Sequence, residues 1–390
     1  MSDAIAPKER EVLDWLATQR EAMQALLQTL VNIDSGSYKK AGVDKTGAAI
    51  CEFLAAHGVS AEVIPNDRFG NAIRAAVGKP GERNILLMGH RDTVFPDGEA
   101  TRRPFRSDGA RAYGPGVADM KAGLVMNCFV AAAMQKFAAA PAPVVALFTA
   151  DEEIGSPSSR ALIEREAKHA ALVLNAEPGR PENSIVTGRK ACIFMRFEIA
   201  GRAAHAGANF EQGASAIAEM AHKIVALQAL TDLAKGITVN VGVVAGGQTV
   251  NTVAPSARGE LDLRYVDPAD RAARLAKIEA IMSHSTVKGT SATFEIYAEF
   301  LPLVQTPESK RLFELYADCG RALGMQIAGI FTGGCADSGF SAGVGAPTIC
   351  AVGPIGARTH SPDEYLEVSS MAPRAQIAAL TIMRSGGRFK

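Results

Sequence analysis

The chain has 390 residues, of which 47% are hydrophobic, and 41 Lys and Arg residues balance 41 Asp and Glu residues. This size and composition predict a globular protein of about two or three domains with a large buried core. The balance of charge excludes the basic surface of nucleic-acid and anionic-membrane binding proteins, so we expect neither kind of partner.

The apolar segments and the cysteines indicate the cellular compartment of the protein. Residues 1–11 contain no apolar segment of the kind that a signal peptide requires, which predicts a cytoplasmic protein. The longest apolar stretch, residues 122–148, is interrupted by polar residues and two prolines. A membrane span needs about 20 nearly continuous apolar residues, so this stretch predicts a helix, a turn and a strand. The six cysteines show no CxxC spacing, which predicts reduced thiols.

The first part of the chain alternates helical and strand-like patterns. Residues 10–33 repeat apolar residues at a period close to 3.6, which predicts one amphipathic helix. Short apolar runs follow at residues 85–88, 144–148 and 171–174, and runs of this kind predict buried parallel strands. The alternation predicts an α/β fold with a mostly parallel sheet that is covered on both faces.

A different pattern interrupts this alternation after about residue 188. Strands are predicted at residues 193–199, 237–244, 258–266 and 292–300, and helices at residues 214–230 and 268–283. The order βαββαβ is that of a ferredoxin-like module. After residue 302 the α/β pattern resumes, with a helix at 309–323 and a strand at 346–352. The sequence therefore predicts a large α/β domain of residues 1–188 and 302–390 with an inserted domain of residues 189–301.

Five residues of the metal-ligand type follow the strand-like runs or the glycine-rich turns. In an open α/β sheet, ligands gather beyond the carboxyl ends of the strands, so residues far apart in sequence converge there. Imidazole and carboxylate together suit Zn²⁺, and Co²⁺ and Mn²⁺ bind the same ligand types. The pattern predicts a two-metal hydrolase. The five residues are His90, Asp119, Glu153, Glu177 and His360.

The spacing of these residues and their neighbours indicates separate roles. His90 and Asp92 are two apart, so on an extended backbone Asp92 can bond the imidazole nitrogen that faces away from the metal. Asp119 precedes a helical run and is either an N-cap residue or a carboxylate that bridges two cations. Adjacent side chains diverge, so Glu153 can ligate a metal while Glu152 acts as general base; the alternative is a solvated acidic loop.

The motifs around these residues resemble those of the co-catalytic zinc peptidases, which include bacterial glutamate carboxypeptidase, the aminoacylases and succinyl-diaminopimelate desuccinylase. The resemblance covers essentially the whole chain. It implies an amide hydrolase whose zinc-peptidase catalytic domain carries an inserted lid and dimerisation domain. The motifs are MGHRDTV at 88–94, GPGVADMK at 114–121, TADEEIGS at 149–156, AEP at 176–178 and the turn that contains His360.

The resemblance also implies two Zn²⁺ ions per subunit, and it implies which residues bind them. One carboxylate and a water molecule would bridge the two ions. Asp92 would orient His90, and Glu152 would take the proton of the water. The implied ligands are Asp119 as the bridge, His90 and Glu177 on one ion, and Glu153 and His360 on the other.

Three lid residues match functional positions of the family. His205, in the motif AHAG, corresponds to a histidine that reaches the active site of the partner subunit and stabilises the oxyanion, which implies a homodimer through the lid. Asn251 and Arg264 correspond to substrate-binding positions, and a guanidinium suits a bidentate grip on a carboxylate. By residue chemistry alone, His205 also fits an ordinary strand-loop histidine and Arg264 also fits a charge at the rim of an alternating strand.

The identity of residue 177 bears on the substrate. Family members with Glu at the Glu177 position tend to be carboxypeptidases or acyl-amino-acid hydrolases, which implies a small peptide or N-acyl amino acid with a free carboxylate. An aminoacylase-type deacylase stays an alternative. A non-catalytic, metal-stabilised binding protein is a further one, against which the extra carboxylate of Glu152 argues. Cys335 stands where glutamate carboxypeptidases have glycine, and residues 297–300 lack their basic residues, so the preferred side chain stays open.

Overall fold

The computed structural model describes residues 4–79, 81 and 83–389. The expectation about a signal segment falls partly on residues 1–3, which lie outside the described residues. The helices are α1 Pro7–Thr18, α2 Arg20–Val31, α3 Lys40–Ala56, α4 Glu99–Arg102, α5 Ala122–Phe137, α6 Arg160–Lys168, α7 Ala216–Gln228, α8 Asp270–Ser283, α9 Pro307–Ala322, α10 Ser338–Gly343 and α11 Met371–Arg384.

The strands are distributed over three sheets. They are β1 Ser60–Ile64, β2 Ala72–Val77, β3 Asn84–His90, β4 Arg106–Ser107, β5 Arg111–Tyr113, β6 Val144–Thr149, β7 Ala170–Asn175, β8 Ile185–Arg189, β9 Ala191–Ala200, β10 Thr238–Gly246, β11 Ser256–Tyr265, β12 Ser291–Phe300, β13 Gly329–Thr332, β14 Thr348–Cys350, β15 Gly356–Ala357 and β16 Tyr365–Glu367.

The chain forms two compact units. The first unit consists of Met1–Gly188, Gln305–Thr332 and Ala336–Lys390, and the second consists of Arg189–Val304 and Gly333–Cys335. The second unit thus interrupts the first, and the short segment 333–335 belongs to the second unit although its chain neighbours belong to the first.

The large sheet of eight strands has the order β1-β2-β6-β3-β7-β14-β8-β13. Parallel pairing joins β6, β3, β7 and β14 at its centre, and antiparallel pairs flank them. The central strands β3, β6 and β7 are mostly apolar and are buried along their whole length, as expected for parallel strands that are covered on both faces. The sheet confirms the predicted α/β class, and its parallel strands are those that precede the candidate ligands.

The predicted helix of residues 10–33 is two helices. α1 ends and α2 begins on either side of Gln19, whose φ of −88° and ψ of 8° interrupt the helix. Leu16 and Met23 are both buried, seven residues apart, so the apolar period continues across the break. A pattern that keeps its period cannot reveal such an interruption, and the single-helix prediction was wrong for this reason.

α5 runs through the core of the first unit and packs against α1, α2 and α11. Among the described residues, Val117–Phe137 is the one helical segment that by length and composition could cross a membrane, and 94% of the apolar window is buried inside the protein. Its hydrophobicity is therefore accounted for by the core.

The second unit contains a four-stranded antiparallel sheet of order β10-β11-β9-β12, which confirms the predicted βαββαβ module. From Ile193 onwards the buried residues of β9 alternate with more exposed ones, so one face of the sheet is apolar. α7 and α8 contribute Met220, Leu227, Ile278 and Met282 to the core on that face.

Candidate metal centre

All five predicted ligands and Glu152 belong to the first unit. His90 is the last residue of β3 and Glu177 follows β7 by two residues. Glu152 and Glu153 lie in a short 3-10 turn after β6. Asp119 lies in the turn before α5, and His360 lies between β15 and β16.

The ligand atoms form two groups that share one carboxylate. In the first group, His90 Nε2 is 3.3 Å from Asp119 Oδ1 and 3.7 Å from Glu177 Oε1. In the second, His360 Nε2 is 3.4 Å from Asp119 Oδ2 and 3.2 Å from Glu153 Oε2. The two oxygens of Asp119 therefore face different imidazoles, which is the arrangement of a bridging carboxylate.

These distances suit divalent metal ions. Ligand atoms that lie about 2.0–2.2 Å from a tetrahedral Zn²⁺ ion are about 3.3–3.6 Å from one another. His90 Nδ1 lies 3.0 Å from the carbonyl oxygen of Asp92, which can only accept, so on the neutral ring Nδ1 carries the hydrogen and Nε2 presents a lone pair. Nε2 is buried, and its neighbours are carboxylate oxygens of Asp119, Glu152 and Glu177. A buried lone pair beside carboxylates fits a metal ligand.

The electrostatics indicate that cationic charge belongs between these carboxylates. Burial raises the pKa of the Glu152 carboxyl well above its usual value, and burial raises the pKa of Glu153 to about 7. Hydrogen bonds with Asp119 and Glu153 raise the pKa of His360 to about 10. Protons on these groups take the place of the positive charge that metal ions supply, so metal binding would release protons.

Asp92 connects the first ligand to the proposed base. Its Oδ1 is 3.3 Å from His90 Nδ1 and accepts the backbone N–H of Glu152 at 3.1 Å. Its Oδ2 accepts the N–H of Glu153 at 3.1 Å and the hydroxyl of Ser37 at 2.7 Å. The fully buried Asp92 carboxylate therefore fixes both the imidazole and the turn that carries the two glutamates.

Asp119 is not a helix cap. α5 begins at Ala122 with Lys121 at its N-cap, and no side chain caps it. Glu364 instead fixes the Asp119 turn, because its carboxylate accepts the backbone N–H groups of Gly116, Ala118 and Asp119 at 3.1, 2.8 and 2.9 Å. Glu364 is 1% exposed, and burial raises the pKa of its carboxyl to about 7.

Two glycines hold the segment that carries Glu177. A Cβ atom on Gly123 of α5 would lie 2.0 Å from the carbonyl oxygen of Ala176, and one on Gly353 would lie 2.3 Å from the same oxygen. The chain at Ala176 is therefore enclosed between α5 and the segment after β14 at a distance that only glycine permits.

Asp337 lies beside the glutamate turn. Its carboxylate accepts hydrogen bonds from Ser156 and from Thr149 Oγ1, the latter at 3.3 Å, and it is buried. Sequence reasoning missed Glu364 and Asp337. The sequence offers one clue to each residue: Glu364 is an acidic residue four positions after His360, and Asp337 is an acidic residue inside a glycine-rich loop.

His205 and Asn251 lie together in the second unit. The N–H of Ala206 donates to the carbonyl of Asn251 at 2.9 Å. His205 is exposed, and its Nδ1 accepts the N–H groups of Gly207 and Ala208, each at 3.1 Å. An accepting Nδ1 leaves the hydrogen on Nε2 of the neutral ring, so His205 presents an N–H donor to its surroundings.

Arg264 lies at the other end of the same sheet. Ser256 pairs with Ala200, close to the His205 loop, whereas Arg264 pairs with Cys192. Eight residues of strand separate Ser256 from Arg264, which is about 27 Å. The structure thus brings His205 and Asn251 together and places Arg264 apart from them within the second unit. Asp262 and the carbonyl of Gly333 hold the Arg264 guanidinium, at 3.0 and 2.7 Å.

A cleft of about 430 Å³ adjoins the second ligand group. Its walls combine apolar and aromatic side chains with polar and charged ones, and Glu153 contributes to them. All the residues that line the cleft belong to the first unit. Because Glu153 is one of them, the cleft provides space for part of a small ligand beside the metal centre. It is lined by Gly36, Ser37, Tyr38, Lys39, Thr93, Val94, Phe95, Pro96, Asp97, Glu153 and Ile154.

The α/β unit with its paired ligand groups and the antiparallel lid define a metal-dependent hydrolase. Residues 86–384 match peptidase family M20/M25/M40, and the chain belongs to this family. Carboxypeptidase G2 of Pseudomonas sp. (strain RS-16) is 30% identical over 398 residues, which cover 98% of this chain and 94% of the relative. The protein is accordingly a carboxypeptidase-like metallohydrolase.

Two further relatives show how far the similarity extends. Acetylornithine deacetylase of Myxococcus xanthus is 31% identical over 217 residues, which cover 50% of this chain and 53% of the relative. An M20 family metallo-carboxypeptidase from Sulfolobus solfataricus has the same fold, with a TM-score of 0.76 at 17% identity, over 93% of this chain and 98% of that chain.

Proposed function

We propose that the protein hydrolyses an amide bond in a small peptide or N-acyl amino acid and releases an amino acid with a free carboxylate. One observation carries the proposal. Glu152 belongs to neither ligand group, yet its Oε2 lies 3.9 Å from His90 Nε2 and its carboxyl is buried. A carboxylate placed beside a metal centre without being needed as a ligand is suited to proton transfer.

Each subunit binds two Zn²⁺ ions in this proposal. His90, Asp119 and Glu177 hold one ion, and Asp119, Glu153 and His360 hold the other, in agreement with the two ligand groups. When bound, the metal pair makes a water molecule acidic and polarises the scissile carbonyl.

The residues of the chain carry the proton and the substrate. Glu152 accepts the proton of the water and returns it to the leaving amine. The Nε2–H of His205 donates to the developing oxyanion, a contribution typically worth about 3–4 kcal/mol. Asn251 orients the substrate from the same subunit as His205. Arg264, about 27 Å away along the lid sheet, acts from the other subunit of the proposed dimer, where Asp262 holds its guanidinium in place and it binds the substrate carboxylate.

The lid also forms a homodimer in this proposal. β10 is at the edge of the lid sheet, and it exposes Val243 and Val244 to 53% and 50%. The adjoining α7 exposes Ile217 and Val225 to 47% and 72%. An open strand edge next to apolar helix residues is suited to two-fold pairing with a second copy.

The position of His205 supports action across the dimer. The chain enters the lid at Arg189 and leaves it at Val304, and β9 and β12 have one end next to these connections. His205 follows the opposite end of β9, about 30 Å away along the ten-residue strand. A donor at the far end of the lid is well placed for a partner subunit.

Glu152→Gln tests the proposed base. The variant keeps the size of the side chain but cannot accept a proton, so kcat should fall about 10²- to 10⁴-fold while both metal ions remain bound. Turnover and metal content by mass spectrometry measure the two effects, with the exposed Glu52→Gln as control. Near-normal turnover at full metal content would remove Glu152 from the mechanism.

Mixing of inactive subunits tests the role of His205. A dimer of one Glu152→Gln and one His205→Ala subunit contains one complete site if His205 acts on the partner. Random mixing at equal amounts should then restore about a quarter of the wild-type activity, because half of the dimers are mixed. Absence of any recovery, with mixed dimers present by mass, would place the histidine in its own subunit or outside the reaction.

An aminoacylase-type deacylase is the second candidate, favoured by the partial match to an acetylornithine deacetylase. Parallel assays of acetylated amino acids and of glutamyl peptides, after chelation and zinc restoration, separate the two. Preferred turnover of peptides supports the carboxypeptidase.

A further inference from the structure

Two cysteines that are distant in sequence meet in the second unit. Cys192 is the second residue of β9, and Cys335 ends the segment 333–335, 143 residues later. The Cys192 thiol donates to Cys335 Sγ, and the two sulfur atoms are 2.9 Å apart. A disulfide bond is about 2.05 Å long, so the sulfurs need to approach by less than about 1 Å to be joined.

Two guanidinium groups surround the Cys335 segment. Arg264 Nη1 donates to the carbonyl of Gly333 at 2.7 Å. Arg189 Nη1 donates to the carbonyls of Gly334 and Cys335 at 3.2 and 3.3 Å. These contacts hold the segment against β9 and place two positive charges near its thiol.

The environments make the two thiols unequal. The hydrogen bond from Cys192, assisted by Arg264 and Arg189 against the effect of burial, lowers the pKa of the Cys335 thiol. The same hydrogen bond, together with burial, raises the pKa of the Cys192 thiol. Cys335 is partly exposed and Cys192 is buried, so a small reagent reaches Cys335 first. A thiolate is the attacking species in disulfide exchange.

We propose that Cys192 and Cys335 form a redox-sensitive pair that a low-molecular-weight disulfide converts into an intramolecular disulfide bond. The Cys335 thiolate attacks one sulfur of the reagent, the sulfur–sulfur bond of the reagent breaks, and one thiolate leaves. Cys192 then loses its proton and attacks Cys335 Sγ, which releases the second thiolate. Two protein thiols are oxidised, one reagent disulfide is reduced to two thiols, and these take up the protons.

The bond would restrain the segment that leads to Asp337. Thr332 and Ala336, which flank the segment, belong to the first unit, whereas β9 belongs to the second, so a bond from Cys335 to Cys192 fixes the segment covalently to the second unit. Asp337 follows by two residues and accepts hydrogen bonds next to the Glu152 turn. Oxidation therefore lowers turnover without loss of metal; this effect, unlike the bond, depends on the proposed function.

Oxidised glutathione tests the pair in the full-length, metal-loaded protein. The wild type should lose two titratable thiols, and peptide mapping without reduction should find Cys192 linked to Cys335. Cys192→Ser should stop at a mixed disulfide on Cys335, and Cys335→Ser should leave Cys192 reduced. Cys51→Ser, which removes another partly exposed thiol, should behave as the wild type.

Turnover and metal content are measured on the same samples. The oxidised wild type should lose most of its turnover and recover it with dithiothreitol, whereas Cys335→Ser should be insensitive. A persistent mixed disulfide in the wild type would contradict the proposal that Cys192 and Cys335 form an intramolecular disulfide bond. Full turnover of the linked protein would contradict the proposal that this bond lowers turnover. An inactive reduced enzyme that still forms the bond would instead contradict the proposed function.

Discussion

The buried carboxylate of Glu364 positions the candidate metal ligand Asp119 by accepting hydrogen bonds from the backbone of its turn. The carboxylate receives three backbone N–H groups from the turn that ends in Asp119. Hydrogen bonds to a charged acceptor are about twice as strong as neutral ones. The turn is thereby held with the two oxygens of Asp119 directed towards His90 and His360.

Replacement of Glu364 should weaken the metal centre. Glu364→Ala leaves three backbone N–H groups of the turn without their acceptor, so metal affinity should fall about 10- to 100-fold, as for other residues that orient ligands. Titration with Zn²⁺ in competition with a chelator measures the affinity. Asp363→Asn, at the exposed neighbouring position, serves as control. Equal affinities of Glu364→Ala and the wild type would contradict the positioning role.

The candidate ligands could be predicted from the sequence because each follows a recognisable apolar run or glycine-rich turn. His90, for example, ends a strand that is buried throughout, and Glu177 lies two residues after another such strand. Glu364 and Asp337 could not be predicted in this way, since their importance depends on burial within irregular segments. The sequence shows an acidic residue in a polar loop, and only the packing shows that the loop encloses it.

A buried ion pair joins two elements of the lid. Glu219 on α7 lies 2.9 Å from Lys223 Nζ and accepts the N–H groups of Thr286 and Val287, which follow α8. Lys223 donates to the carbonyl of Ile281 at 2.6 Å. Both side chains are at most 3% exposed, so α7 is connected to the C-terminal end of α8 through charges that water does not screen.

Lys223→Met should destabilise the lid by about 3–5 kcal/mol, because it leaves the Glu219 carboxylate buried without its cation. The hydrogen bonds of Val287 and Lys223, opposing burial, lower the pKa of Glu219. A lowered folded pKa stabilises the protein above the unfolded value of about 4.5. This contribution is lost as the pH falls through the folded value. In Lys223→Met, where Glu219 lacks its cation and its folded pKa is less lowered, this loss of stability on acidification should be smaller.

Hydrogen exchange of peptides from α7 and residues 284–290, measured from pH 7 downwards, tests this element. Lys277→Met, an exposed position on α8, is the matched control. Unchanged protection in Lys223→Met would show that the pair contributes nothing to the lid.

The elements themselves were largely predictable. The βαββαβ order followed from the succession of four strand patterns and two helix patterns along the chain, and β9 indeed has one buried face. The break at Gln19 was not predictable, since its effect is confined to one residue and leaves the buried face of both helices in register.

For the molecule as a whole, metal binding and stability should be coupled. Asp119, Glu152, Glu153 and Glu177 are carboxylates within one buried region, and repulsion between them favours the unfolded chain until cations are bound. The dimer and the cytoplasmic location, by contrast, stay predictions.

Removal of the bound metal by a chelator should therefore lower the thermal midpoint, and addition of Zn²⁺ should raise it again. Free zinc at 100 times Kd stabilises the folded state by about 2.7 kcal/mol per site. Calorimetry with and without a chelator measures the shift, and a pH indicator should register protons released on binding near pH 7. Asp119→Ala, which lacks the ligand shared by both groups, should show little of the rise. A chelator-independent midpoint would argue against a resident metal pair.

The burial of α5 has a consequence for biosynthesis. α5 ends at residue 137, whereas α11, which packs against it, begins at residue 371. During synthesis the apolar helical segment Val117–Phe137, which is long enough to cross a membrane, is therefore made long before α11 can pack against it. Newly made chains should depend on holding chaperones during this interval, and those that stall should be prone to mistaken delivery to the lipid bilayer.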